Sequence, residues 1–362
     1  MVLTTPTLEQ IIDSLSADEI NLILVGENNQ VDIEALISHC NKNNLLMAGG
    51  IFPGIIHQNN HSDADVLIKY YPKSTKVKIF KELGKSADFD FSKLQDDQHS
   101  ALLFIDGLSA KISYFLEKTY SFYWDNIKFI GGGCGSLSLV QQPCIFSNEG
   151  FFMDAALMLF LDSDLTAGVK HGWKRISGPF VVSAAEGNII RELNWRPAFD
   201  VYRETLLAHG VSDINPDNFF NIAKAFPFGI FKEGTEDVVR DPIVTDGQSL
   251  TCVGEVTVNS VVNILNGEKS DLISGAEQAA MDAFQDTAVK DMLVVDCISR
   301  SLFQDDEFSN ELDSISQVIK EKKVCIPLEG ILSLGEISSY GDGYLEFFNK
   351  TIVVGAFQNH DR

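Results

Sequence analysis

Two stretches of the N-terminal half share one order of apolar and polar positions. Each has an apolar strand, an amphipathic helix, a second strand that ends in glycines and, after a loop, a further apolar strand. In the first stretch these segments are 22–26, 31–42, 44–50 and 63–71. In the second they are 102–107, 109–120, 127–133 and 151–162. The shared order predicts an internal duplication of a βαβ-type unit, because sequence similarity at a fixed order of elements marks repeated architecture.

The second half reads as an α+β pattern. The pair Asp246-Gly247 lies between two β-rich runs and predicts a hairpin. Other segments are a helix from Ser270 to about Thr287, a buried strand over 291–299, an amphipathic helix around Leu312, and strands over 324–337 and 345–357 joined through 341–343. The predicted fold class is therefore α/β plus α+β, with mixed sheets covered by helices.

Length sets the expected domain organisation. A chain of 362 residues favours two domains. The turn-forming segment SDINPDN (212–218) is the best candidate for a linker. We therefore predict an N-terminal extension over 1–20, a first domain over 21–212 and a second domain over 213–362.

Charge and cysteine usage narrow the class of protein. The formal net charge is -23, a field that repels phosphate backbones and anionic lipid and so argues against nucleic acid and membrane surfaces as partners. Six cysteines occur without a CxxC pair, which gives no disulfide framework. The first residues lack the features of a signal peptide, and the apolar stretch 151–161 is too short to span a bilayer. These features predict a cytoplasmic protein.

The glycine-rich segment IGGGCGS (130–136) is the first candidate for chemistry. Gly132 and Gly133 allow close approach of the backbone, so a loop here can hold an anion beside Cys134. The alternative is a tight strand exit whose glycines have no room for a side chain. A thiol-dependent enzyme using Cys134 is a rival hypothesis, and it requires a base that the fold brings near.

Arg300 and Glu336 each end a strongly apolar strand pattern, which predicts positions at the edge of the core. A buried arginine binds a carboxylate partner or an anionic ligand. Two interpretations stay open: ligand binding by these residues, or an internal ion pair that stabilises the fold. The second would suit a scaffold without any ligand.

His171 follows an apolar strand and is flanked by Trp173. A neutral imidazole can ligate haem iron, and an aromatic neighbour suits a flat apolar ligand. The alternative is a structural histidine whose hydrogen bonds the protein itself satisfies.

Nine motifs, in this order, resemble the FIST family of intracellular sensor domains. They are GGGCGS (131–136), EGFFMDAALMLFL (149–161), HGWKRISGP (171–179), AEGNIIREL (185–193), RPAFDVY (196–202), VRDPIV (239–244), VDCISR (295–300), GILSLGEI (330–337) and FFNKTIVV (347–354). The first five look like the family's N-terminal domain and the last four like its C-terminal domain.

The resemblance implies a sensor that binds a small ligand and reports to a separate signalling protein. Some members bind haem and sense nitric oxide, and they are paired with histidine kinases or cyclic-dinucleotide enzymes. For this chain the resemblance would make His171 the axial haem ligand and Trp173 its neighbour. It implies no catalytic residues, and it leaves the identity of the ligand and a homodimer open.

Overall fold

The described strands form four sheets. Three of them contain parallel as well as antiparallel pairs, and the fourth, formed by the segment 174–266, has antiparallel pairs. The computed structural model describes residues 1–85, 88–91, 98–232, 236–285, 288–340 and 344–359. The predicted fold class, mixed sheets covered by helices with a duplicated unit in the first half, is confirmed.

The elements follow in chain order. The first part contains β1 (Val2–Leu3), α1 (Leu8–Asp13), β2 (Glu19–Gly26), α2 (Ile33–Lys42), β3 (Leu46–Phe52), β4 (Gly54–His57), β5 (Asn60–Ser62), β6 (Val66–Pro72) and β7 (Lys76–Phe80). The second contains β8 (Ser100–Asp106), α3 (Ile112–Tyr123), β9 (Lys128–Cys134), β10 (Ile145–Ser147), β11 (Gly150–Phe152), β12 (Ala156–Leu161) and β13 (Asp164–Lys170).

An insertion and a last part complete the chain. The insertion contains β14 (Lys174–Glu186), β15 (Ile189–Leu193), β16 (Arg196–Pro197), α4 (Ala198–Ala208), α5 (Phe219–Ala223), β17 (Phe228–Ile230), β18 (Val238–Thr245), β19 (Leu250–Val253) and β20 (Val261–Asn266). The last part contains α6 (Lys269–Ala283), β21 (Val289–Cys297), α7 (Ile298–Gln304), α8 (Phe308–Glu321), β22 (Glu329–Ser333), β23 (Glu336–Tyr340), β24 (Tyr344–Phe348) and β25 (Ile352–Gln358).

The repeated unit occurs three times, once more than the sequence predicted. We call residues 19–72, 100–161 and 289–358 the first, second and third repeats. Each has a parallel strand pair joined through helix: β2 with β3, β8 with β9, and β21 with β22. In each, the last strand returns antiparallel to the first: β6 beside β2, β12 beside β8, and β25 beside β21.

The hairpin of each repeat extends the sheet of another repeat. Strand β4 pairs with β22, β10 pairs with β3, and β23 pairs with β9. Because every repeat both gives a hairpin and receives one, the three sheets form a closed ring with pseudo-threefold symmetry. Strands from the two halves of the sequence therefore share sheets.

One glycine in each repeat is required by close backbone packing. Gly49, Gly131 and Gly330 lie opposite Ile23, Leu103 and Val294 of the parallel neighbour strand. A Cβ atom at the three glycines would lie 1.9, 1.7 and 2.2 Å from the carbonyl oxygen of that opposite residue. No side chain fits at such a distance, so the glycines that end the predicted strands serve the sheets.

The three sheets enclose one apolar core and carry helices on their outer faces. Equivalent residues such as Leu22, Leu102 and Leu293 point inward from the first strand of each repeat. Helices α1 and α2 cover the first sheet, α3 covers the second, and α6 and α8 cover the third. Alternate residues of the strands thus face two different apolar layers, which explains their nearly continuous hydrophobic runs.

The insertion forms the fourth sheet and has its own core, to which α4 and α5 contribute. The segment 212–218 lies between these two helices, and Ile214 is buried in the same core. The boundary between the first and second domains at 212–213 therefore stays a prediction.

Two strand predictions near the C-terminus are wrong. The stretch 324–337 contains β22 and β23, which belong to different sheets, and Gly335 breaks it at φ +122°. The stretch 345–357 contains β24 and β25, separated at Lys350, which has φ +49°. The joining turn predicted at 341–343 and the helix end predicted at Thr287 lie outside the described residues.

Candidate functional site

A cavity of about 630 Å³ opens at one end of the ring of three sheets. It lies where the last strand of each repeat ends, so all three repeats contribute to its wall. The contributing strand ends are Tyr71 and Pro72 of β6, Phe160 and Leu161 of β12, and Phe357 and Gln358 of β25. The symmetric closure of the fold therefore creates this cavity.

Lys69 is the unusual residue of this cavity. It lies on the inward face of β6 with Leu67 and Tyr71, and only 7% of it is exposed. Its ammonium nitrogen lies 2.5 Å from Oδ1 of Asp291 and 3.2 Å from Oε2 of Glu329. An ammonium group withdrawn from water is unfavourable unless it is paired, and here two carboxylates pair with it.

The pseudo-symmetry shows what usually occupies these positions. Strand pairing places Leu159 and Gly355 at the positions equivalent to Lys69. It places Ala48 and Ile130 at the positions equivalent to Glu329. A lysine and a glutamate therefore replace apolar residues at two inward positions. Packing alone does not require such an ion pair.

The other polar groups of the cavity include both charges and a neutral hydroxyl. The Tyr71 hydroxyl donates to Oδ2 of Asp291 at 3.4 Å. Burial, and next the charge of Asp291, raises the pKa of Tyr71 well above its ordinary value, so this hydroxyl stays a neutral donor. Lys290 and Asp162 lie at the rim. The cavity can thus contact a ligand that carries charges of both signs.

The glycine-rich segment 130–136 was predicted as a loop that can hold an anion, but its glycines 131–133 lie in a strand. Gly132 and Gly133 lie within β9, with Gly132 opposite Glu336 of β23. The Gly133 N–H donates to the carbonyl oxygen of Gly335 at 2.7 Å. A Cβ atom at Gly132 would come within 2.9 Å of Ser333 and Val295, so the backbone is packed against protein.

Cys134 is fully buried at the end of β9. Burial, followed by the neighbouring Cys144 and Asp106, raises the pKa of its thiol well above the ordinary value. A nucleophilic cysteine requires partial exposure and a lowered pKa. The surroundings of Cys134 instead bury its thiol and raise its pKa.

Arg300 is completely buried and has partners within the protein. It donates to both carboxylate oxygens of Glu311 at 2.8 Å, and its Nε lies 3.1 Å from Asp296. It also donates to the carbonyl oxygens of His171, Lys350 and Leu272. Burial alone would lower the pKa of Arg300, but Glu311 and Asp296 raise it. This is the arrangement of an internal ion pair, with Glu311 and Asp296 as partners.

Glu336 is also fully buried, close to this network. Its Oε1 accepts from the Ser333 hydroxyl at 2.9 Å and its Oε2 accepts from the Thr351 N–H at 3.2 Å. Burial raises the pKa of Glu336 to about 8, although these donors oppose the shift. Neither Arg300 nor Glu336 lines the cavity, and their role in ligand binding stays a prediction.

His171 and Trp173 lie in the same buried region. The Nδ1 atom of His171 accepts from the Trp173 N–H at 2.8 Å, and its Nε2 atom lies 3.0 Å from Oε2 of Glu236. The Trp173 ring packs against Phe303, and its Nε1–H donates to the Lys350 carbonyl.

Both ring nitrogens of His171 therefore have protein partners, and an axial ligand of haem needs one of them free. The residues in this arrangement do not fit haem, and haem binding stays a prediction of the family resemblance. Among the described residues, no three His, Cys, Asp or Glu side chains converge on a metal position.

Comparison with known families agrees with the motif order. The FIST N domain model matches residues 21–196, and the FIST C domain model matches residues 198–339. The chain belongs to the FIST family. FIST domains are generally sensor domains of signal transduction that bind small ligands. No curated protein matches the chain.

The parts of the chain that match the FIST N and FIST C domain models both contribute residues to the cavity. Lys69 lies in the part matched as FIST N, whereas Asp291 and Glu329 lie in the part matched as FIST C. Residues that are distant in the sequence thus form one ionic cluster.

Sequence reasoning missed this cluster, although one signal was available. Lys69 alternates with Leu67 and Tyr71 and so falls on an apolar face of its strand. A charged residue at such a position is rarely buried without a partner. The sequence alone gave no means of choosing Asp291 and Glu329 among 51 acidic residues.

Proposed function

We propose that this FIST protein is a receptor for a small ligand, which binds in the cavity beside Lys69, and that it modulates a separate signalling protein. The observation that carries the proposal is the buried ionic cluster of Lys69, Asp291 and Glu329 inside a cavity of about 630 Å³. Cavities of about 300–1,000 Å³ with a few placed polar groups are typical of small-ligand sites.

The position of the cluster supports a sensing role. Lys69 is on β6 of the first repeat, while Asp291 lies near the start of β21 and Glu329 begins β22, both in the third repeat. A ligand that replaces Asp291 or Glu329 as the partner of Lys69 weakens the ionic contact between the first and third repeats. The change in free energy is limited by the difference in ligand affinity between the two arrangements.

The partner and the cellular site belong to the proposal as well. We place the receptor in the cytoplasm, and we favour a histidine kinase or a cyclic-dinucleotide enzyme as the signalling partner. The net charge of -23 supports a partner other than nucleic acid or an anionic membrane. Within the described parts of the chain, each helix is too short or too polar to cross a bilayer.

The test is binding that depends on Lys69. Purified protein is titrated calorimetrically with panels of amino acids, short peptides, polyamines and nucleotides. At least one class is expected to bind the natural sequence and to bind Lys69→Met at least tenfold more weakly.

The matched control is Lys85→Met. The Lys85 side chain is 78% exposed, far more than that of Lys69, and it pairs with Glu82 at the surface. The control is expected to bind like the natural sequence. If no panel compound binds in a manner that depends on Lys69, the proposed receptor function is wrong.

A further inference from the structure

Arg240 is a buried cation without a carboxylate partner. Four cationic side chains of the described residues are buried: Lys69, Arg240, Arg300 and Lys350. All of these except Arg240 have a carboxylate oxygen within 3.1 Å. Arg240 lies on β18 of the insertion and is 6% exposed, yet no carboxylate of the described residues pairs with it. A buried charge that lacks a counter-ion is unfavourable, so this position indicates a group that is supplied from outside.

The hydrogen bonds of Arg240 leave one nitrogen free. Its Nε donates to the Glu255 carbonyl at 2.9 Å, and its Nη1 donates to the carbonyls of Val239 and Phe347 at 3.0 Å. These three partners are neutral. Among the described residues Nη2 has no hydrogen-bond partner, and this atom is not fully buried. Its two N–H groups can therefore donate to a ligand.

Asn349 supplies a second free donor. It lies between β24 and β25 of the third repeat and is only 2% exposed. Its Oδ1 is buried and has no hydrogen-bond partner. Its Nδ2 has none either among the described residues, but this atom is not fully buried. Buried side-chain amides without any hydrogen bond are rare in native proteins, so packing alone does not explain Asn349.

The two side chains are neighbours, because both lie against the same glycine. Gly254 follows β19 and has φ +82°, a left-handed conformation that favours glycine. A Cβ atom at this position would lie 3.0 Å from Nε of Arg240 and 3.3 Å from Oδ1 of Asn349. The insertion and the third repeat thus bring two unpaired donors together at their junction. Neither of these residues lines the cavity beside Lys69.

We propose that Arg240 and Asn349 form a second binding site, which takes the carboxylate group of a small molecule. One carboxylate oxygen accepts from Nη2 of Arg240, and the other accepts from Nδ2 of Asn349. Arginine and carboxylate form strong charge-assisted hydrogen bonds, and the ligand supplies the counter-ion that the fold does not. This inference goes beyond the proposed function, because the site is separate from the cavity and does not depend on ligand binding there.

The surrounding charges favour a carboxylate over a phosphate. Burial lowers the pKa of Arg240, and the negative charges of Glu346 and Glu255 oppose this shift. The same negative charges repel a doubly charged phosphate more strongly than a singly charged carboxylate. The net charge of -23 acts in the same direction. A monoanion with two oxygens therefore matches one cation and two donors.

Arg240 also has a structural role, which has to be separated from binding. Through Nη1 it connects β18 of the insertion to Phe347 of β24. Its replacement can therefore destabilise the protein without any ligand. Informative variants keep Arg240 and change Asn349 or Gly254.

The first test compares acetate binding to the natural protein and to Gly254→Ala. Acetate replaces chloride at constant ionic strength, and saturation-transfer NMR detects the bound methyl group. The added Cβ displaces the guanidinium or the amide, so Gly254→Ala is expected to bind acetate at least tenfold more weakly. Gly187→Ala is the matched control, because Gly187 also has a positive φ of +58° but nothing within 4 Å of an added Cβ. It is expected to bind acetate like the natural sequence.

The second test places a carboxylate in the protein itself. Asn349→Asp puts a negative charge beside Arg240, and Asn349→Leu removes the amide without adding charge. Both variants are expected to bind acetate at least tenfold more weakly than the natural sequence. Only the aspartate pairs with Arg240, so Asn349→Asp is expected to unfold at a higher temperature than Asn349→Leu. Because these variants leave Gly254 unchanged, the test stands even if Gly254→Ala does not fold.

The outcomes test this site independently of the cavity. Acetate binding that Lys69→Met leaves intact and Asn349→Asp abolishes supports the inference. Acetate binding that Asn349→Asp does not affect, or no acetate binding by the natural protein, overturns it. Acetate binding that requires Lys69 alone overturns the second site but supports the proposed receptor function. Displacement of acetate by phosphate more readily than by propionate overturns the carboxylate class.

Discussion

The ammonium group of Lys69 lies 2.5 Å from the carboxylate of Asp291, although 222 positions separate the two residues in the chain. The contact joins the last strand of the first repeat to the first strand of the third. Glu329 adds a second carboxylate to the same ammonium. The ring of sheets is thus connected by an ionic cluster at the end where the cavity opens.

Replacing Lys69 by leucine is expected to lower the free energy of unfolding by about 2 kcal/mol. Breaking a buried ion pair costs about 3–5 kcal/mol, and the partly exposed Asp291 reduces this cost, because surface pairs contribute about 0–1 kcal/mol. Leucine occupies the equivalent position of the second repeat, Leu159, so its shape suits the sheet. Urea unfolding measures the change.

The additional variant Asp291→Asn tests the cause. If the loss comes from an unpaired carboxylate, the double variant Lys69→Leu/Asp291→Asn recovers part of the stability lost by the single variant. Lys85→Leu serves as the exposed control and is expected to stay within about 0.5 kcal/mol of the natural sequence. A strictly additive double variant would contradict the role given to Asp291.

Substituting alanine for Gly49, Gly131 or Gly330 is expected to disrupt the protein to a similar degree at all three positions. The added Cβ meets a backbone carbonyl in each case, and backbone cannot move aside as a flexible side chain can. Gly210→Ala is the control: it also has a constrained backbone, φ +86°, but open space around it. Its expected cost is about 1–2 kcal/mol.

Soluble yield and thermal unfolding compare the four variants. If Gly330→Ala is tolerated like Gly210→Ala while Gly49→Ala and Gly131→Ala are not, the third repeat is not equivalent to the other two. Equal loss at the three positions supports the assignment of the repeats from strand pairing.

The sequence allowed two of the three repeats to be recognised, and the reason lies in their glycines. Gly49-Gly50 and Gly131-Gly132 end matching strands, and the spacing between strand and glycine is similar. The third repeat keeps only Gly330, because Ile331 stands where the others have a second glycine. Its crossover also has two helices, α7 and α8, instead of one. The third repeat therefore lacks both features by which the first two are recognised, the glycine pair and the single crossover helix.

The exchange of hairpins could not be predicted from the sequence. Strands β4 and β5 are short, and the pairing of β4 with β22 joins positions separated by most of the chain. Local patterns give the type of an element, whereas the pairing partner depends on tertiary packing. For the same reason Arg300 was recognised as a buried arginine, while Glu311 and Asp296 were not named as its partners.

Thiol labelling is expected to modify one cysteine rapidly in the folded protein. Cys325 is exposed, and Cys40, Cys134, Cys144, Cys252 and Cys297 are buried. Burial raises the pKa of Cys134, and it raises the pKa of Cys40 to about 11, so the reactive thiolate is scarce at neutral pH. Iodoacetamide with peptide mapping identifies the labelled site.

Two controls complete the labelling experiment. Cys325→Ser is expected to leave no rapidly labelled thiol, and denaturant is expected to expose all six cysteines of the natural sequence. Labelling of Cys134 in the folded protein faster than a model thiol would contradict its burial. That result would also revive the hypothesis of a thiol-dependent enzyme.

Glu336 is expected to make stability decrease as the pH rises. Burial raises the pKa of its carboxyl group from 4.5 to about 8, so between these values the folded state binds a proton that the unfolded state releases. The stabilising contribution is complete below about pH 4.5 and is lost as the pH rises through about 8. Urea midpoints measured from pH 5 to 8.5 follow this change.

The variant Glu336→Gln is the control, because glutamine cannot titrate. Its urea midpoint is expected to fall less steeply with pH than that of the natural sequence, even if the substitution lowers stability at every pH. Parallel slopes for the two proteins would mean that Glu336 is ionised in the folded state, with Ser333 and Thr351 donating to a carboxylate.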